Sequence, residues 1–202
     1  NKNSCYKING VGLNLPKKHF RKKIINKKEI KKILVIAAYK KEKGYLEILK
    51  VAEMLKSRKI KIECYGYGDY YKFNSIKIKK KIDNISFNKF DINLENKIQQ
   101  YDILLHLSKR EGLPVSVMQS LSAGLPVICY NIRGNTDLIK DGLNGYFVKS
   151  YKDVPIKLYY LNLEKDFFSK MRLNAFNTIN KDFLKKTINF NLYKIIKKYS
   201  RH

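Results

Sequence analysis

Tryptophan is absent from the 202 residues, cysteine occurs three times, and no apolar run approaches the roughly 20 residues that a bilayer-spanning helix needs. Cys5, Cys64 and Cys129 are odd in number and far apart. This excludes a disulfide framework and a cysteine-based zinc site, and makes a reducing, cytoplasmic compartment the default. Acidic residues are scarce, 17 against 43 Lys+Arg, which leaves a formal charge of +26. Such an excess suits an anionic partner: nucleic acid, a membrane surface or phosphorylated substrates. Arginine, however, supplies only six of the basic residues. The guanidinium fork is the side chain that reads phosphate and guanine in a bidentate way, so its scarcity speaks against a nucleic-acid surface. Lys, Asn, Ile, Tyr and Phe, all abundant here, have A/T-rich codons, so genome composition is a plausible source of much of the charge. The chain opens on Asn1, not Met, and residues 1–15 lack the apolar stretch of a signal peptide. The expectation is a piece of a longer protein.

Apolar residues make up 44% and charged residues 30%, as in ordinary globular proteins. The length fits one large domain with a helical extension. Residues 1–30 are polar and end in a lysine-rich run, and are expected to be a linker. From there short apolar runs alternate with segments of helical spacing. Strands are expected at Lys32–Ala38, Lys59–Tyr65, near Asn84–Phe87, Asp102–Leu107, Pro126–Tyr130 and Gly145–Val148. Helices are expected at Lys43–Leu55, Leu94–Tyr101 and Val115–Ala123, with a helical turn at Thr136–Lys140 and mostly helix from Val154 to Tyr199. The alternation implies a Rossmann-like α/β domain over residues 31–180, a parallel sheet of about six strands with helices on both faces. A C-terminal helix is expected over 181–202. Ligands of such sheets bind where the carboxyl ends of the strands meet helix N-termini.

The richest stretch is Ser108–Val148. There the chain leaves a buried strand through a charged loop, Ser108–Glu111, and enters a helix at Gly112 and Pro114. The free amides of Leu113, Val115 and Ser116 and the positive end of the helix dipole make an anion site suited to a diphosphate. Glu111 beside it is repelled by phosphate and better suited to accept hydrogen bonds from sugar hydroxyls. An acid next to a phosphate cradle points to a sugar nucleotide.

This stretch resembles the donor-binding motif of retaining glycosyltransferases of the two-Rossmann-domain GT-B type, family 4. The first element matches at Ser108, Glu111, Gly112, Leu113, Pro114, Ser116, Gly124, Pro126, Val127 and Ile128, the second at Gly134, Asp137, Leu138, Ile139, Asp141, Gly142, Asn144 and Gly145. Weaker agreement runs from Asn9-Gly10-Val11 through Lys43-Gly44 and Gly66-Tyr67-Gly68 to the C-terminal helices. The resemblance covers the C-terminal, donor-binding half of that fold. It implies Glu111 as the catalytic carboxylate. Lys43, Gly44, Gly112, Leu113, Pro114, Val115, Ser116 and Gln119 would hold the donor, with Lys89 and Phe90 at the base. It implies no metal and no other cofactor, because Lys43 and backbone amides would neutralise the leaving diphosphate.

Two positions depart from the family. A second glutamate, expected to hold the ribose, is here Gln119, whose contact carries no charge. The Gly-Arg pair ahead of the first helix is here Ala37 and Ala38, which leaves Lys43 as the cation unless Lys40 or Lys41 substitutes. Lys43 and Gln119 read equally as surface residues, His106 reads as a core histidine, and Tyr65, Tyr67, Tyr70 and Tyr71 could stack on a base or simply reflect abundant tyrosine. The expected partners are a nucleotide sugar, a glycan or lipid-linked acceptor of surface polysaccharide synthesis and a missing N-terminal Rossmann domain. A peripheral contact with the anionic inner membrane face is a further expectation, nucleic acid is not. The alternatives are a degenerate domain that binds nucleotide sugar or assembles without catalysis, and a basic nucleic-acid or membrane module.

Overall fold

The computed structural model describes residues 29–182 together with 189 and 193. The elements are β1 (Lys32–Ile36), α1 (Tyr45–Leu55), β2 (Lys61–Gly66), α2 (Tyr71–Lys79), β3 (Ile85–Lys89), β4 (Ile103–His106), α3 (Val115–Ser122), β5 (Val127–Tyr130), β6 (Gly145–Val148), α4 (Val154–Leu163) and α5 (Lys165–Asp182). The strands form one six-stranded sheet in the order β3-β2-β1-β4-β5-β6, every pairing parallel. This is the expected α/β fold.

Burial on both faces explains the continuous apolar strands. In β1, Ile33 and Val35 enter a cluster with Ile48, Leu55 and Phe73 from α1 and α2. Leu34, on the opposite face, packs with Val117, Leu121, Ala175 and Ile179 from α3 and α5. Asp102, just before β4, accepts the Lys31 and Lys32 amides at 2.8 Å each, while its carbonyl receives Arg172 Nη1 at 3.1 Å. These bonds tie β1, β4 and α5 together.

Two expectations change and one holds. Leu94–Tyr101 is a pair of 3-10 turns, Leu94–Asn96 and Ile98–Gln100, because only Leu94 and Ile98 of these turns are buried and so short a segment has no continuous apolar stripe to bury. The helical turn expected at Thr136–Lys140 is present, closed by the Thr136 amide to the Ile132 carbonyl (3.2 Å) and the Ile139 amide to the Asn135 carbonyl (2.8 Å); it goes no further because the Lys140 amide bonds Asn144 Oδ1 instead (2.8 Å). Ile30, placed in the linker, is buried, and its amide bonds Asn162 Oδ1 at 2.7 Å. Most of the 181–202 helix and residues 1–28 of the linker lie outside the described residues.

The order of the strands sets the position of the site. The sheet grows outward from β1 in one direction and from β4 in the other, so the loops after these two strands diverge and leave a crevice at their carboxyl ends. Lys43 follows β1 and Glu111 follows β4.

Candidate functional site

The loop after β1 is fixed by aromatic hydroxyls. Tyr45 donates to the Ala37 carbonyl at 2.6 Å, and Tyr39 donates to the Asn88 carbonyl at 2.6 Å. Gly44, at φ +77°, then turns the chain into α1 with its α-carbon packed against the Leu107 carbonyl, where a β-carbon would collide. The loops after β1 and β4 are thereby held together, and the Lys109 amide adds a bond to the Glu42 carbonyl at 2.9 Å.

Lys43 Nζ lies 2.7 Å from Glu111 Oε1, and both side chains are largely buried. Burial alone would raise the carboxyl's pKa, but the nearby His106, the Lys43 ammonium and Ser108 outweigh it and hold Glu111 down at about 2. Glu111 is therefore an anion at every physiological pH. His106 is the last residue of β4; it is buried, as expected of a core histidine, yet its Nε2 lies 3.2 Å from the same Oε1. The contact is off the line of a good hydrogen bond, and that nitrogen makes no other bond. The expectation of a satisfied core histidine is thus corrected. As the final strand residue, it lies where the sheet opens into the crevice. Its place five residues before Glu111 was the available signal.

Helix α3 begins beside this pair. Its N-terminal flank, Pro114, is extended (φ −73°, ψ 113°) and provides no side-chain cap, so the first amides, including Val115 and Ser116, have no side-chain acceptor there. Gly112 is exposed and Leu113 half-buried. Gly134, in the loop after β5, has φ +88° and lies against the Gly112 carbonyl, with no room for a β-carbon. Substituting Gly134→Ala is expected to cost about 2–4 kcal/mol in chemical denaturation, from the positive φ and the backbone collision. A loss under 0.5 kcal/mol would show that the contact is dispensable.

Gln119 is half-buried on the next turn of α3. Ala37 and Ala38 put no charge in the crevice, and Lys40 and Lys41 are exposed. Lys89 and Phe90 are not joined to the Lys43–Glu111 pair. They sit at the end of β3, about 10 Å from β1 by two strand spacings. There Phe90 stacks on Tyr67 with ring centroids 4.1 Å apart and planes inclined 17°. Both rings are exposed. Tyr65 is committed to Glu63 through its hydroxyl at 3.2 Å, and Tyr70 packs on Tyr39. Of the four tyrosines, Tyr67 makes the exposed platform with Phe90. Among the described residues no group of three His, Cys, Asp or Glu is placed to hold a metal ion, and no helix is long and apolar enough to cross a membrane.

Residues 16–174 match the model of the family described as glycosyl transferases group 1. The chain belongs to that family. A relative named poly(glycerol-phosphate) alpha-glucosyltransferase, from Bacillus subtilis (strain 168), is 27% identical over 161 residues, which are 76% of this chain and 22% of the relative. Of the solved structures, TarM from S. aureus, a complex with fondaparinux, alpha-GlcNAc-glycerol and UDP, superposes with a TM-score of 0.76 at 21% identity, covering 90% of this chain and 37% of that one. HepE from Anabaena, in complex with UDP-glucose, gives a TM-score of 0.75 at 16% identity, over 87% and 50% of the two chains. The chain thus spans less than a quarter of the curated relative, half or less of these two structures, and has the fold of the GT-B C-terminal domain.

Proposed function

We propose that this chain is the donor-binding half of a retaining, family 4 type glycosyltransferase. It binds a nucleotide-diphosphate sugar for transfer to a glycan or lipid-linked acceptor in surface polysaccharide synthesis, in the cytoplasm. The observation that carries the reading is the Lys43–Glu111 pair, set across the crevice between β1 and β4 and next to the uncapped start of α3. The presence of UDP in the TarM complex and of UDP-glucose in the HepE complex supports it.

The chemistry follows from the charges. The amides at the start of α3 and the Lys43 ammonium meet the diphosphate and offset the negative charge that grows on it as the sugar leaves. Glu111 accepts hydrogen bonds from the sugar and, as an anion, favours the positive charge developing on the sugar ring. Gln119 reaches the ribose with an uncharged amide. Tyr67 and Phe90, with Lys89 beside them, offer the base a stacking face. The acceptor is held by a second Rossmann-type domain across the crevice.

Turnover tests the reading: the full gene product, given UDP-glucose, UDP-GlcNAc, GDP-mannose and a lipid-linked glycan, should release nucleoside diphosphate and form a product of retained anomeric configuration, read by NMR. Absence of turnover with every donor, despite donor binding, would favour the degenerate domain that Ala37, Ala38 and Gln119 suggest. The +26 charge favours docking at an anionic membrane face where lipid-linked acceptors lie. The gene product should therefore co-sediment with phosphatidylglycerol vesicles at low salt and not with phosphatidylcholine vesicles; equal behaviour on both would remove the membrane contact.

A further inference from the structure

Lys43 faces two demands. Its ammonium neutralises Glu111, yet it is also the cation left for a diphosphate where Ala37 and Ala38 stand. A diphosphate carries more negative charge than one carboxylate and draws the ammonium toward itself. Glu111, with a side chain 13% exposed, is then a largely buried anion that has lost its cation, an expensive state unless another donor holds it.

His106 is placed to be that donor. Its Nε2 lies 3.2 Å from the oxygen Lys43 now occupies, and it makes no hydrogen bond while Lys43 is there. A small rotation of either side chain would align it. A neutral imidazole with its proton on Nε2 suffices, so no charged histidine is required. We propose that His106 is a positioning residue for Glu111: its Nε2–H takes over Oε1 when Lys43 turns to the diphosphate of a bound sugar nucleotide, which keeps the carboxylate oriented and its second oxygen available to the sugar. The proposal rests on the donor-binding reading.

The test is a calorimetric titration of the chain with UMP, UDP, UDP-glucose, GMP, GDP and GDP-mannose, comparing wild type, His106→Leu and His106→Gln. The nucleoside diphosphate and the sugar nucleotide both carry the diphosphate that draws Lys43 away, so in His106→Leu both weaken about tenfold, the loss of one hydrogen bond to a charged group, while the nucleoside monophosphate stays within about twofold. His106→Gln, whose amide can donate, recovers most of that affinity. Equal weakening of monophosphate and diphosphate, or an unchanged diphosphate affinity, overturns the proposal and leaves His106 a packing residue. Wild type binding none of these ligands would overturn the donor reading itself. A second measurement needs no variant. The chain has three histidines, so the imidazole nitrogen signals separate by NMR, and that of His106 Nε2 should shift on adding the sugar nucleotide. A signal unmoved at saturation contradicts the proposal.

Discussion

Replacing Glu111 by alanine is expected to lower turnover of the full gene product roughly 100–1000-fold, the usual scale for removing one preorganised electrostatic group from a transition state. The affinity for UDP alone should stay the same or rise, because the ammonium of Lys43, now 2.7 Å from the carboxylate, is released to the diphosphate. A general collapse of binding would instead mean that Glu111 only shapes the loop. The same carboxylate gives a pH signature. Its pKa is held at about 2, below the ordinary 4.5 of the unfolded chain, so its stabilising effect is complete above 4.5 and disappears as pH falls toward 2. Against Glu111→Gln, wild type should be more stable by about 1–3 kcal/mol at pH 6, and the gap should close between pH 4.5 and 2. A gap that is constant with pH would show that the pair contributes no charge-dependent stability.

Replacing Lys43 by methionine is expected to weaken UDP binding by about 10–100-fold, the value of a charge-assisted contact to phosphate, with far less effect on UMP, which lacks the second phosphate. The variant keeps most of the apolar stem and removes the charge. Glu111 is left with His106 and Ser108, so its pKa should rise from about 2, and the chain should lose stability at neutral pH. Equal weakening of UMP and UDP would place Lys43 away from the second phosphate. Unchanged UDP binding would return it to the surface lysines and pass its role to Lys40 or Lys41.

The middle of the sheet was legible because its strands are buried on both faces. Runs such as Ile33–Val35 and Ile103–Leu105 are apolar without interruption, and this pattern survives sequence reading even when a boundary moves by a residue or two. The stretch from Leu94 to Tyr101 was harder: isolated apolar residues at turn spacing imitate one turn of helix. The polar bonds of Asn144, which end the helical turn at Lys140, are long-range facts of the fold in part, since its Nδ2 also reaches Thr178 Oγ1 at 3.0 Å. Glu111 and the start of α3 were legible from the loop chemistry. Its pairing with Lys43 was not, because 68 residues separate them and only the following Gly44 distinguishes Lys43 from its many lysine neighbours. The Gly44–Leu107 and Gly112–Gly134 contacts, which bring three loops into one place, are likewise visible only once the strands are ordered.

On the proposed function, the crevice between the loops after β1 and β4 holds a nucleotide-diphosphate sugar. Amide and side-chain NMR shift mapping of the chain with UDP-glucose, repeated with GDP-mannose, tests it most directly. Saturable shifts are expected with one of the two, concentrated at Lys43, Glu111, Gly112, Val115 and Ser116, with a second group at Tyr67 and Phe90. Shifts spread over the exposed lysines and removed by moderate salt, or no response at millimolar ligand, would contradict it.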